Sequence, residues 1–231
     1  MKNKIGNIRV FVIALFAIIF ISLLAFNVSA DTVVINGTTN TQDTYIHNTT
    51  LNQNKNYGGD TDIVVTGSDI SSSQGIRKIL IRFDVSSIPA NADISSAVLT
   101  LKKNSGGLGT STVEAHQVLA YWIEGTQTGS ACTTGATWNN ATCTANPWSI
   151  PGLASGVDYN SRVDDSVSVS NSLVSYNWSI LTSVQEWANG TTPNNGTILL
   201  GPSGSGSPIH TFDSSEGTTI PYLTITYIFN P

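Results

Sequence analysis

Sulfur, imidazole and charge are all scarce in this chain. Two cysteines, one methionine and three histidines occur in 231 residues, and only 11% of the residues are charged. The cysteines are Cys132 and Cys143, and His47, His116 and His210 are scattered along the sequence. That distribution excludes a zinc site, which needs further Cys or His ligands at close spacing. Cations are outnumbered, ten Lys and Arg against fifteen Asp and Glu, for a formal charge of −5. With no basic stripe to neutralise a phosphate backbone, nucleic acid is excluded as a partner. Helical apolar periodicity is confined to one short segment, so the core must come from β structure.

The one long apolar run lies at the N-terminus. Lys2, Lys4 and Arg9 precede it, it extends from Val10 to Phe26, and Val28-Ser29-Ala30 supplies the small residues that signal peptidase requires. Residues 1–30 therefore read as a signal peptide and Asp31 as the mature N-terminus. The alternative is an uncleaved anchor, because the run approaches the roughly 17 residues that just span a bilayer. Only in that case is a membrane a partner. Removal of the segment takes away three cations and no acid, which moves the formal charge from −5 to −8. Residues 31–231 suit one sandwich domain with a substantial core.

An acidic, weakly charged chain rich in Thr, Ser, Asn and Gly fits a secreted or cell-surface β protein that stays soluble through hydroxyls and amides. Glycosylation candidates support that compartment, with Asn-x-Ser/Thr triplets at Asn36, Asn48, Asn140, Asn177, Asn189 and Asn195. In an exported protein Cys132 and Cys143 read as a disulfide, worth about 3 kcal/mol by loop-closure entropy.

Short apolar alternations recur along the chain between turn signals, the pattern of an all-β fold. We expect a two-sheet antiparallel jelly-roll sandwich. The most informative stretch runs from Arg77 to Pro89. Its Ile79, Ile81 and Phe83 share one face of a strand, while Lys78, Leu80 and Arg82 share the other. That pattern predicts one face on the core, the other partly wet, and pairing that ends at Pro89. One short helix is expected near 180–188. Ile180, Val184, Trp187 and Ala188 recur at helical spacing, Ser179 precedes them, and Asn189-Gly190 follows as a C-cap. This helix should cover an open end of the sandwich.

Taken in order, these pieces resemble the DNRLRE domain, also known as carbohydrate-binding module family 96 and as disaggregatase-related repeats. Asp43-Thr44-Tyr45-Ile46, Asn56-Tyr57-Gly58 and the Arg77–Pro89 strand resemble its first half. Tyr121-Trp122-Ile123-Glu124, Thr137-Trp138 and Trp148 resemble its Trp-marked middle. Val184 to Gly190, Phe212-Asp213-Ser214-Ser215-Glu216 and Pro221-Tyr222-Leu223 resemble its end. Where the family often has Asp-Val-Thr before the helix, this chain has Ser179-Ile180-Leu181. The resemblance implies a secreted β-sandwich, of a kind often attached to polysaccharide lyases or repeated in surface proteins.

Sugar recognition would use aromatic faces with nearby polar groups. Tyr57, Trp138 and Trp148 are the aromatic candidates, whereas Trp122 and Trp187 read as core. Trp138 and Trp148 lie in the loop of the two cysteines, where they could either meet a ligand or pin the loop. Arg77 and Arg82 would suit a uronate-containing polysaccharide, since guanidinium pairs bidentately with carboxylate. Internal ion pairs with Asp84, Asp43 or Glu216 are the competing reading. A structural calcium ion could draw on Asp43, Asp60, Asp62, Asp213 and Glu216, although no ligand set follows from spacing. Asp164-Asp165, or Asp213 with Glu216, lack the supporting motif of a glycosidase pair. The first reading is thus a non-catalytic module for an envelope or extracellular polysaccharide. The alternative is a surface or matrix protein that self-associates through strand edges.

Overall fold

The computed structural model describes residues 29–67, 74–143, 145–202 and 207–229. The expected signal segment therefore lies almost entirely outside the described residues. In chain order the first strands are β1 (Ala30–Asn36), β2 (Thr41–His47), β3 (Lys55–Asn56), β4 (Asp62–Val65), β5 (Arg77–Phe83), β6 (Asp93–Gly106) and β7 (Ser111–Gln117). There follow β8 (Ser130–Ala131), β9 (Asn140–Thr142), β10 (Asn146–Pro147), β11 (Asp165–Val169) and β12 (Ser175–Ser179). Helix α1 (Leu181–Ala188) precedes β13 (Thr197–Leu200), β14 (His210–Asp213) and β15 (Tyr222–Ile228).

Two antiparallel sheets form the sandwich. One has the order β1-β15-β6-β14-β4, with β12 also paired to β6, and the other has the order β11-β7-β13-β5-β2. The chain crosses repeatedly between them, β4 to β5 to β6 to β7 and later β12 to β13 to β14, as a jelly roll does. Between the layers lie Ile79, Ile81 and Phe83 from β5, Leu99 and Leu101 from β6, and Trp178, Leu199, Phe212 and Ile225. The period-two rule predicts Ile79, Ile81 and Phe83 inward, and all three are buried.

The other face of β5 differs from expectation. Leu80 is fully buried, as are Ile46 of β2 and Ile198 of β13, and together with Val118, Trp122, Ala136, Ala141, Trp148 and Leu153 they form a second apolar cluster. The long excursion between β7 and β11 folds over the outer face of this sheet and covers it. Ile79-Leu80-Ile81 is thus an apolar run buried on both sides. Lys78 and Arg82 tolerate that setting because their stems lie along apolar surface while the charged heads reach polar groups at its margin. The strand also stops at Phe83, six residues before Pro89.

Helix α1 seats Val184 and Trp187 against the main core, as its spacing predicts. Its N-terminus has no side-chain cap. Ile180 occupies the cap position, and Ser179 belongs to β12, where its N–H donates to Asp165 Oδ2 at 2.7 Å. At the other end Asn189 caps as expected and Gly190 takes φ +66°, with its N–H donating to the Trp187 carbonyl at 3.0 Å. Gln185 fastens the helix to the strand it covers. Its Oε1 accepts the Ile94 N–H at 2.8 Å and its Nε2 donates to the Ala92 carbonyl at 2.9 Å.

Candidate functional site

Parity separates the two arginines. Arg77 and Arg82 are five residues apart on one strand, so their side chains leave opposite faces. Arg77 lies beside Tyr45 and Tyr57, half-buried, with Nη1 buried and unpartnered, and burial lowers its pKa. Arg82 leaves the outer face, and its guanidinium carbon stands 5.3 Å from the ring centres of both Tyr121 and Trp122. Its Nη2 donates to Gln42 Oε1 across the β2–β5 register. Among the described residues neither guanidinium is paired with a carboxylate, so the internal ion pairs considered above are not formed.

A cleft of about 400 Å³ opens beside Arg82, lined by Thr39, Asn40, Gln42, Phe83, Asp84 and Asn194. Its walls are mostly amides and hydroxyls. Asn194 Nδ2 donates to the Phe83 carbonyl at 2.7 Å, and the Asp84 carboxylate accepts the Ser86 N–H at 2.9 Å. Tyr121 is 60% exposed at this end of the molecule. Sequence reasoning passed over it, although adjacency carried the signal. Trp122 next to it is wholly buried and donates its indole N–H to the Asn195 carbonyl at 2.7 Å.

The remaining aromatic candidates serve the interior. Tyr57 is 7% exposed, stacks on Tyr45 with centroids 4.2 Å apart, and donates its hydroxyl to Asn52 Oδ1 at 3.1 Å. Trp148 is 3% exposed and donates its indole N–H to the Thr137 carbonyl at 2.8 Å. Trp138 is half-buried, with the Lys78 ammonium 5.2 Å from its ring centre. Gly152, at φ +85°, leaves the room this indole occupies, because a Cβ there would collide with the ring. Lys78 donates to the Gly152 carbonyl, and burial pulls its pKa down to about 8.

Asp158 organises the same excursion. It is buried, and its carboxylate accepts the N–H of Ser149 and, at 2.8 Å, that of Ala154. Cys132 and Cys143 are both thiols, close enough to interact. Burial and the neighbouring Cys143 thiol push Cys132 up to about 12. Of the sequon positions, Asn36, Asn177 and Asn189 are exposed and Asn48 and Asn140 half-buried. Asn195 is 5% exposed, and its amide donates to the Leu119 carbonyl at 2.7 Å.

Three carboxylates converge elsewhere, on the inner side of β2. Oxygens of Asp43, Glu124 and Glu216 all lie within 4.8 Å of one another. The Asp43 N–H donates to Glu124 Oε1 at 2.7 Å, and the Ser215 N–H donates to Asp43 Oδ2 at 2.8 Å. Burial raises Asp43 to about 7 and Glu124 to about 8. Glu124 sits close because Gly58 has no Cβ to strike its carbonyl. Of the calcium candidates drawn from sequence, Asp43 and Glu216 meet here, joined by Glu124. Asp62 and Asp213 are instead bridged by the Asn104 amide, at 2.6 and 2.9 Å.

The family model of carbohydrate-binding module family 96 matches residues 26–227, and the chain belongs to that family. No curated protein matches it.

Proposed function

We propose that this member of carbohydrate-binding module family 96 is an exported, non-catalytic module that holds a uronate-containing polysaccharide in the cleft beside Arg82. The observation that carries this reading is Arg82 itself. A guanidinium that forms no ion pair with a carboxylate among the described residues stands over an exposed tyrosine ring, at the margin of an amide-lined cleft. Each part matches one feature of a uronic acid. The tyrosine offers an apolar platform to sugar C–H groups, the amides of Asn40, Gln42 and Asn194 complete hydroxyl hydrogen bonds, and the cation meets the carboxylate. In a chain of net negative charge, this local cation also sets selectivity.

Export by residues 1–30, glycans on the exposed asparagines, and a Cys132–Cys143 disulfide belong to the same reading. Affinity electrophoresis through gels of alginate, polygalacturonate and a neutral glucan tests it. Retardation in the uronate gels that weakens with added salt is expected. Equal mobility in all gels refutes it.

A second reading, self-association at a surface or in a matrix, draws on β1. This seven-residue strand forms one edge of its sheet, and Ile35 is its one buried side chain. A free edge of that length can pair with another chain. Ordered oligomers by light scattering, without retention on any polysaccharide, would select it.

A further inference from the structure

We infer that Asp43, Glu124 and Glu216 bind a calcium ion that fastens three remote parts of the chain to one another. Asp43 lies on β2, Glu124 on the segment that follows Trp122, and Glu216 in the connection between β14 and β15. Their carboxylate oxygens fall within 4.8 Å of one another. Ligands on opposite sides of one calcium ion stand about 5 Å apart, given Ca–O distances of roughly 2.3–2.6 Å. The donors are all hard oxygens, the class that calcium selects.

The Asp43 carboxylate carries the argument. Asp43 is 1% exposed, its Oδ2 is held by the Ser215 N–H, its Oδ1 is buried with no hydrogen-bond partner, and its carboxylate lies within 4.8 Å of two others. A buried, unpartnered acceptor calls for an explanation, and a cation supplies one. Among the described residues no Lys, Arg or His forms an ion pair with any of the three acids, and Arg82 acts on Glu124 only from beyond ion-pair distance. The hydroxyl of Thr41, on the same face of β2 and two residues away, is also buried and unpartnered. The cluster is layered from inside to outside. Asp43 is buried, Glu124 is half-buried and Glu216 is exposed, which gives an ion a path from solvent to its deepest ligand.

The ion would act on architecture. Glu124 is three residues beyond Tyr121 and two beyond Trp122, so a ligand bond there anchors the start of the excursion that covers the outer sheet face. Ser215 and Glu216 are drawn to the same point, with the Ser215 hydroxyl donating to Glu216 Oε1 at 2.9 Å. This inference does not depend on which polysaccharide the protein holds, or on whether it holds one.

The test uses the full chain, stripped of divalent ions with a chelator and titrated with calcium chloride near neutral pH by calorimetry and thermal unfolding. One ion per chain is expected, with a rise in Tm of about 5 °C or more at a hundredfold excess over Kd. Glu216→Gln, at an exposed position, should keep the fold and weaken calcium binding by roughly tenfold or more. Glu124→Gln keeps the side-chain shape and the acceptor for the Asp43 N–H, and should lose the calcium response while remaining folded. Absence of heat and of any Tm change with calcium overturns the assignment. So does a full calcium response in Glu124→Gln and Glu216→Gln.

Discussion

Arg82 and Tyr121 face each other across the β2–β5 surface, the guanidinium carbon 5.3 Å from the centre of a ring that is 60% exposed. Their separation in sequence conceals this. Arg82→Ala and Tyr121→Ala should each weaken uronate-polysaccharide binding by about tenfold, the equivalent of roughly 1.4 kcal/mol, with Tm lowered by only a few degrees. Arg82→Lys keeps the charge but loses the planar fork, and should recover only part of the affinity. Affinity electrophoresis and thermal unfolding check both effects. Unchanged mobility in the alanine variants would refute this placement of the site.

Trp148 behaves differently, because its indole is enclosed in the second apolar cluster and hydrogen-bonded to the Thr137 carbonyl. Trp148→Ala should destabilise the fold by about 3–5 kcal/mol through lost burial and the cavity left behind. Trp138→Ala, at a half-buried ring beside Lys78, should cost less. Denaturant unfolding of both variants measures the difference, and a larger loss at Trp138 would contradict the assignment of Trp148 to the interior.

Two histidines make the fold sensitive to acid. His47 is lowered to about 4 by burial and by Arg77 and Lys55, despite a hydrogen bond to the Gln74 carbonyl. Burial and the neighbouring Lys103 lower His210 to about 4. Because both folded values lie below the unfolded value of about 6.5, the unfolded chain takes up protons first as pH falls. Their contribution is complete above about pH 6.5 and is lost progressively toward pH 4. The Tm of wild type should therefore fall more steeply over that window than that of His210→Asn. Parallel profiles would remove His210 from the account.

The sequons do not offer equivalent asparagines. Peptide mapping of protein from a glycosylating host should find Asn195 unmodified, since its amide is buried and already donates to Leu119. Asn36, Asn177 and Asn189 are exposed and open to modification. A glycan at Asn195 on natively folded protein would contradict its burial.

If Cys132 and Cys143 form a disulfide on export, thiol titration of the unfolded, unreduced protein should find no free thiol. Cys143→Ser should then cost about 3 kcal/mol by the loop-closure estimate. Two titratable thiols in the secreted protein would rule the bridge out.

Alternation along short segments sufficed for the main core, because a strand with apolar residues at every second position has one way to bury them. The outer face of β5 shows the limit of that rule. Leu80 between Ile79 and Ile81 was a sign of burial on both faces, but Lys78 and Arg82 masked it. A long cationic stem can cover apolar surface while its head escapes. The same parity that placed the trio inward also forbids Arg77 and Arg82 from acting as one pair. Tyr121 was legible by the same rule once its neighbour Trp122 was assigned to the interior.

What the sequence determined by itself is the all-β sandwich, the inward face of β5, the position of its helix and its family, because each rests on local periodicity or on an ordered set of short motifs. The tertiary structure alone decided that the excursion after β7 closes over a second core, that Arg82 borders a cleft, and that Asp43, Glu124 and Glu216 meet. The physical reason is range. Periodicity records which way a side chain points from its own strand, whereas a site assembled across 81 residues of separation, as between the Asp43 N–H and Glu124 Oε1, exists only when the whole chain has packed.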